Sequence, residues 1–275
     1  MEPISFFAGH IAGKALDYLT SRFRTHVIER WSRKRAEQFF EEFCHEVEAE
    51  ITGAKSESLD ELLTKILEDE TGSEVLFDAY RRVVFARSKN LGPRIIGILT
   101  AELTLQNRLA DEIEDGMLSA AETLDDNEML EFTRFVRQNQ PTVGEDAQKQ
   151  KSFEKAAEYD KDGNLRIRWC VESVESVDSA SHRVFDIRVG PLDLTECLGR
   201  WASKLKSLGI ISDDVKERQW RYEVDTDRHV DEPGTVREIT WWISVPKPYL
   251  RFVGLIERVS SHANIDANED EKSPK

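Results

Sequence analysis

Cysteine is scarce and scattered: Cys44, Cys170 and Cys197 are the only three in 275 residues, and none sits in a C-x-x-C pair. An odd, dispersed set excludes a disulfide framework and fits free thiols in a reducing compartment. Long apolar runs are missing too. The stretch from Ile4 to Leu19 is interrupted by His10 and Lys14. It is too short and too polar to span a bilayer, and no basic segment precedes it as in a secretory signal. Cytoplasmic residence without stable membrane insertion is the expectation.

The signatures of catalysis are also absent. There is no G-x-S-x-G elbow, no Walker loop and no G-x-G-x-x-G turn, so acyl transfer and nucleotide chemistry lack their usual cradles. The six histidines, at 10, 26, 45, 182, 229 and 262, form no H-x-x-x-H or Cys–His ladder. Neighbours on a helix diverge by about 100°, so Cys44 and His45 read as a buried thiol beside a surface imidazole. Asp160 to Asn164 opens like a calcium loop. That loop needs glycine at its sixth position and glutamate at its twelfth, whereas Gly163 is fourth and Val171 twelfth. The segment reads as a turn. No catalytic residue, metal ligand or cofactor is assigned.

What is present is charge and aromatic mass. A net charge of −15 argues against duplex nucleic acid as the default partner, because phosphate binding needs concentrated basic surface. Thirteen Phe and six Trp are ample for packed cores and exclude wholesale disorder. Charge sign alternates in blocks. Residues 1–36 hold seven Lys or Arg against three acids, 37–78 two against fourteen, 79–108 six against one, and 109–131 none against nine. Such blocks are either solvated faces or complementary helices packed side by side.

Helical spacing dominates the first half. Phe39, Phe40, Phe43, Val47 and Ile51 mark one long helix, or two nearly continuous ones, running from Ser5 to about Ile51. Ser58 and Glu61 form a capping box for a short helix carrying Leu59, Leu62, Leu63, Ile66 and Leu67. Thr71 to Ser73 reads as a break. The next helix spans about 74–88, with Val75, Leu76, Ala79, Val83 and Ala86 inward. After Asn90, Gly92 and Pro93, another carries Ile95, Ile96, Leu99, Leu103, Leu109 and Ile113, ending near Gly116 or running on to Ala121. Asp125 and Glu128 box a last helix with Met129, Leu130, Phe132, Phe135 and Val136 inward.

The pattern changes after a polar linker at 139–150. Leu165 to Val171 and Arg183 to Val189 alternate as strands should. Asp193 and Glu196 cap a helix over Leu194, Leu198, Trp201, Leu205 and Leu208, stopped by Gly209. Two more strands are expected at about 219–224 and 236–245, then a helix at 249–259. The fold class is therefore α+β: an N-terminal helical bundle (1–138), a linker (139–150), a small α+β or winged-helix-like domain (151–259) and a disordered tail (260–275).

Several binding surfaces follow. Arg22, Arg24, Arg30, Arg33, Lys34 and Arg35, interleaved with Phe23 and Trp31, could hold a nucleic-acid backbone, an acidic protein or anionic lipid. They read better as the polar face of a long helix answering the acidic helix that follows. Arg200, Lys204 and Lys206 give the 194–208 helix a modest phosphate-binding character. Ile4, Phe6, Phe7 and Ile11, with Gly9 and Gly13 four apart, suit helix packing or a homo-oligomer contact. A metal-dependent nuclease is a further alternative, through Asp225, Asp227 and His229, which alternate with Asp231 in a segment that reads as a solvated hairpin tip. A nuclease signature forced onto Pro191, Asp193, Asp214 and Lys216 requires acids converging from adjacent strands, yet Asp193 caps a helix.

One family pattern can be matched. Leu205, Leu208, Gly209, Ile210 and Ile211, followed by the run from Trp241 to Val245, resemble the C-terminal helix–L-G-I-I–strand unit of bacterial abortive-infection proteins of the Abi-alpha type. The match covers about the last quarter of the chain and a general helical outline. Pro246, Lys247 and Pro248 stand where that pattern has a threonine–glycine stop. The resemblance implies a bacterial accessory protein of phage defence and carries over no site residue; the alternating charge blocks and the apolar face from Ile4 to Leu16 point to a non-catalytic, protein-binding subunit of a larger complex.

Overall fold

The computed structural model describes residues 31–54, 64–66, 68–141, 155–177, 193–222 and 234–270. It is an α+β protein, a helical bundle followed by a four-stranded antiparallel sheet with helices. The chain forms two compact units, residues 1–133 with 251–275, and residues 134–250.

In the first unit, α1 (Trp31–Ala54), α2 (Glu70–Phe85), α3 (Leu91–Leu105) and α4 (Glu112–Thr123) are joined by the start of α5 (Asp126–Gln138) and by α8 (Leu250–Asp270). Helix α3 is apolar all round, so it takes the centre. Thirteen of its fifteen residues are buried, including Ile95, Ile96, Ile98 and Leu99. Phe39, Phe40, Phe43 and Val47 of α1 are buried as their spacing predicts, as are Val75, Leu76, Ala79 and Val83 of α2. The crossing of α1 over α3 is close: a Cβ added at Gly97 would lie 2.5 Å from the Phe39 carbonyl oxygen.

Helix boundaries in this unit depart from the sequence pattern in several places. Helix α2 runs straight through Thr71 to Ser73, because Asp69 caps it and accepts from the Gly72 amide at 2.8 Å. The helix expected from Pro93 to Gly116 or beyond is two. Asn107 takes φ 47, ending α3. Asp111 and Glu114 then close a reciprocal capping box that starts α4. Leu109, expected inward, is consequently 54% exposed in the connection. Leu130 also faces outward, whereas Met129, Phe132, Phe135 and Val136 are buried. The tail is helical as far as Asp270, and α8 belongs with the bundle, not with the sheet. Phe252, Val253, Ile256 and Val259 are buried, and Phe252 meets Phe132 at 6.3 Å between ring centroids.

The charge blocks prove to be packing partners. Arg94 of α3 reaches Glu41 and Glu42 of α1, and Arg82 of α2 reaches Asp115 and Glu122 of α4. The capping box at Asp125 is present in both directions, each bond 2.9 Å. Its neighbour Asp126 accepts from the Ser88 hydroxyl and from the Leu91 amide at 3.0 Å, anchoring the start of α3 to the start of α5.

The second unit orders its strands β1-β2-β4-β3, with β1 Lys155–Tyr159, β2 Leu165–Val177, β3 Ser212–Tyr222 and β4 Gly234–Val245. Asp160 closes the β1–β2 turn by accepting from the Asp162 and Asn164 amides. Strand β2 pairs along β4 with a register shift between Cys170 and Glu172. One sheet face buries Leu165, Ile167, Trp241, Ile243 and Val245. The expected helix over 194–208 is broken at Gly199, φ 100, into α6 (Leu194–Leu198) and α7 (Arg200–Ser207). Trp201 and Leu205 of α7 remain buried, and the Trp201 ring packs on Phe135 at 5.3 Å. A helix-then-hairpin order does follow, α7 to β3 and β4. The hairpin is no free wing, however, because the other edge of β4 is occupied by β2.

The close crossing gives a first expectation. Gly97→Ala should lower stability by about 1–3 kcal/mol, the range for an overpacked core. Gly254→Ala, with nothing within 4 Å of the added Cβ, should be neutral or stabilising by up to about 1 kcal/mol. Urea denaturation followed by circular dichroism reads both.

Candidate functional site

Among the described residues, those singled out in the sequence are not gathered into one site. Arg22, Arg24, Arg30, Ile4, Phe6, Phe7 and Ile11 lie outside the described residues, as do Asp225, Asp227, His229 and Asp231. Arg33 lies in the first turn of α1. Lys34 is exposed, but Arg35 is half-buried and donates to the Val84 carbonyl at 3.3 Å, near the C-terminal end of α2. A cation there satisfies an end carbonyl and meets the negative end of the helix dipole. Arg35 therefore has a structural role. On α7, Arg200 is exposed, while Lys206 is paired with Asp213 at 2.6 Å, which weakens this helix as a phosphate surface. Asp214 lies in β3, opposite Trp242, and is 3.7 Å from Lys216, while Asp193 caps α6.

Among the described residues, a polar cluster joins α1, α3 and α8. Arg94 is buried and donates to buried Glu42 at 2.6 Å, with Glu41 at 3.2 Å. His262 Nδ1 stands 3.3 Å from the same Glu42 carboxylate, and Arg258 of α8 pairs with Glu46. Its acids are committed to guanidinium and imidazole partners that hold three helices together. Among the described residues, no group of three His, Cys, Asp or Glu side chains could hold a metal ion. Cys44 is buried beside exposed His45, and burial, followed by the charge of Glu48, pushes its thiol up to about 12. At neutral pH it stays an unreactive thiol.

A second hub sits at Arg82, which bonds Asp78 at 2.7 Å, Asp115 at 2.6 Å and the Ser119 hydroxyl at 3.0 Å. Burial pushes the Asp78 carboxyl up, but hydrogen bonds from Arg82 and Arg81 outweigh it and hold the group below its ordinary value. Beside this hub, α2, α3 and α4 leave a cleft of about 220 Å³. The outer side of α2 also exposes two aromatic rings, Phe77 (42%) and Phe85 (69%). Periodicity placed the inner face of α2 but gave no sign that its outer face would expose aromatic rings.

In the second unit, the sheet face opposite the core carries Arg166 and Arg168 around Trp242. The guanidinium carbons lie 4.3 and 5.9 Å from the ring centroid. Stacked cations over an indole are attractive electrostatically. This face went unnoticed in the sequence, although Arg166 and Arg168 alternate with buried Leu165 and Ile167.

Comparison with family models, curated proteins and solved structures finds no match to this chain. Among the described residues, no helix is long and apolar enough to cross a membrane.

The buried cluster gives a second expectation. Arg94→Leu alone leaves Glu42 with reduced compensation and should cost about 3–5 kcal/mol. Adding Glu42→Leu should recover most of that loss. A double-mutant cycle in urea reads the coupling, and two additive single losses would contradict it.

Proposed function

We propose that this chain is a non-catalytic interaction or regulatory subunit of a cytoplasmic bacterial multi-protein complex, in the manner of the phage-defence proteins its C-terminal pattern resembles. The observation that carries this reading is the solvent exposure of Phe77 and Phe85 on α2, in a bundle whose buried charges are tied in helix-to-helix pairs. A partner protein would cover those rings, and homo-oligomer formation is the simplest variant. Pull-down from the native host, with a nuclease-treated control, should recover a protein that survives nuclease. Phe77→Ser with Phe85→Ser should weaken that capture roughly thirtyfold, the scale of losing interface anchors. Their far-UV circular dichroism should be unchanged. A monodisperse monomer with no co-purifying protein would reject the reading.

A second reading, a nucleic-acid-binding accessory, is favoured by one observation, the Arg166–Trp242–Arg168 stack on the open sheet face. Bases stack on such aromatic and guanidinium planes, and phosphates pair with the cations. A labelled single-stranded oligonucleotide should then bind with an affinity that falls steeply with salt, and Trp242→Ala should weaken it. A flat salt response sinks this alternative.

A further inference from the structure

The cleft between α2, α3 and α4 has the dimensions and polarity of a socket. Its floor is Val75 and Ala79 of α2, Leu103 of α3 and Leu118 of α4, all buried. Thr100 also lines it, but its hydroxyl is turned to its own helix, donating to the Ile96 carbonyl at 2.6 Å. The floor is thus suited to hydrocarbon. At about 220 Å³ it falls below the roughly 300–1,000 Å³ typical of small-molecule sites, and instead fits a single anchoring side chain.

The rim is acidic. Glu74 and Asp78 stand one turn apart on α2. Asp78 is neutralised by Arg81 and Arg82, while Glu74 is exposed and makes no ion pair among the described residues. On α4, which contributes Leu118 to the floor, Glu112 is exposed and Asp115 is paired with Arg82, within a stretch from Leu109 to Glu131 that holds nine acids and no base. Exposed Phe77 lies three residues from Glu74, so apolar surface continues outward past the acidic rim.

We infer that this cleft receives a large apolar side chain carried on a basic amphipathic segment of the partner protein. The inference rests on the interaction-subunit reading and specifies its contact. The apolar floor takes the anchor, and the flanking Lys or Arg residues of the incoming segment answer Glu74 and the acidic face of α4. A buried anchor ringed by charge is the usual anatomy of an interface hot spot. Opposite charge at the rim speeds encounter and selects the partner.

The test uses the full chain and a labelled peptide with leucine and lysine at helical spacing. Two control peptides replace leucine by alanine, or lysine by glutamate. Only the leucine–lysine peptide should bind. Ala110→Trp, which fills the cleft mouth from the α3–α4 connection, should weaken it roughly thirtyfold, and Glu74→Lys about fivefold. Absence of binding, equal binding by Ala110→Trp, or equal binding of the alanine peptide overturns the assignment. Host pull-down with the Ala110→Trp chain separates the two levels. A partner recovered equally by both chains keeps the subunit reading and removes the cleft, whereas no partner with either removes both.

Discussion

Placing α3 at the centre of the bundle is the constraint on which the first unit depends. A fifteen-residue helix that is apolar on every side must be surrounded, and each buried Ile or Leu contributes about 1.5–3 kcal/mol to that enclosure. Surrounding it requires close approach, which Gly97 permits beneath the Phe39 carbonyl. It also forces Arg94 indoors, and Glu41 and Glu42 of the covering helix answer its charge. The same enclosure explains Asp126, whose carboxylate supplies acceptors to the Ser88 hydroxyl and the Leu91 amide where the chain turns into α3.

Much of this was legible before any coordinates. The capping boxes at Asp125 and the cap at Asp193, the Gly209 stop and the alternation of Leu165 and Ile167 depend on neighbours within a few residues. Local rules therefore find them. The break at Asn107 was masked because Leu103, Leu109 and Ile113 keep helical spacing across it, so the apolar period runs on where the backbone does not. The cap formed by Asp111 and Glu114 was readable and would have split the helix. Gly199 similarly divides an amphipathic stretch whose buried side, Leu194, Trp201 and Leu205, looks continuous.

The candidate surfaces were much less legible. The cleft draws on three helices, and none of Val75, Leu103 or Leu118 has a local signature different from an ordinary core residue. The basic run from Arg22 to Arg35 drew notice because it is contiguous, yet Arg35 serves the end of α2. The Trp242 stack required knowing that β2 and β4 are neighbours, a pairing between residues more than seventy positions apart. Charge alternation was the one long-range feature visible in advance, and pairing between blocks is what the described residues show.

Because α8 belongs to the bundle, the first unit is assembled from the two extremes of the chain, with the sheet unit inserted between them. Phe252, Val253, Ile256 and Val259 fill space that no earlier residue occupies, and Phe252 is the ring against Phe132. During synthesis, helices α1 to α4 leave the ribosome long before their last packing partner exists. All four strands of the inserted sheet are complete by Val245, five residues before α8 begins. These helices are therefore made before the partner that completes their packing, and the surface that α8 covers waits for it while the inserted unit is translated.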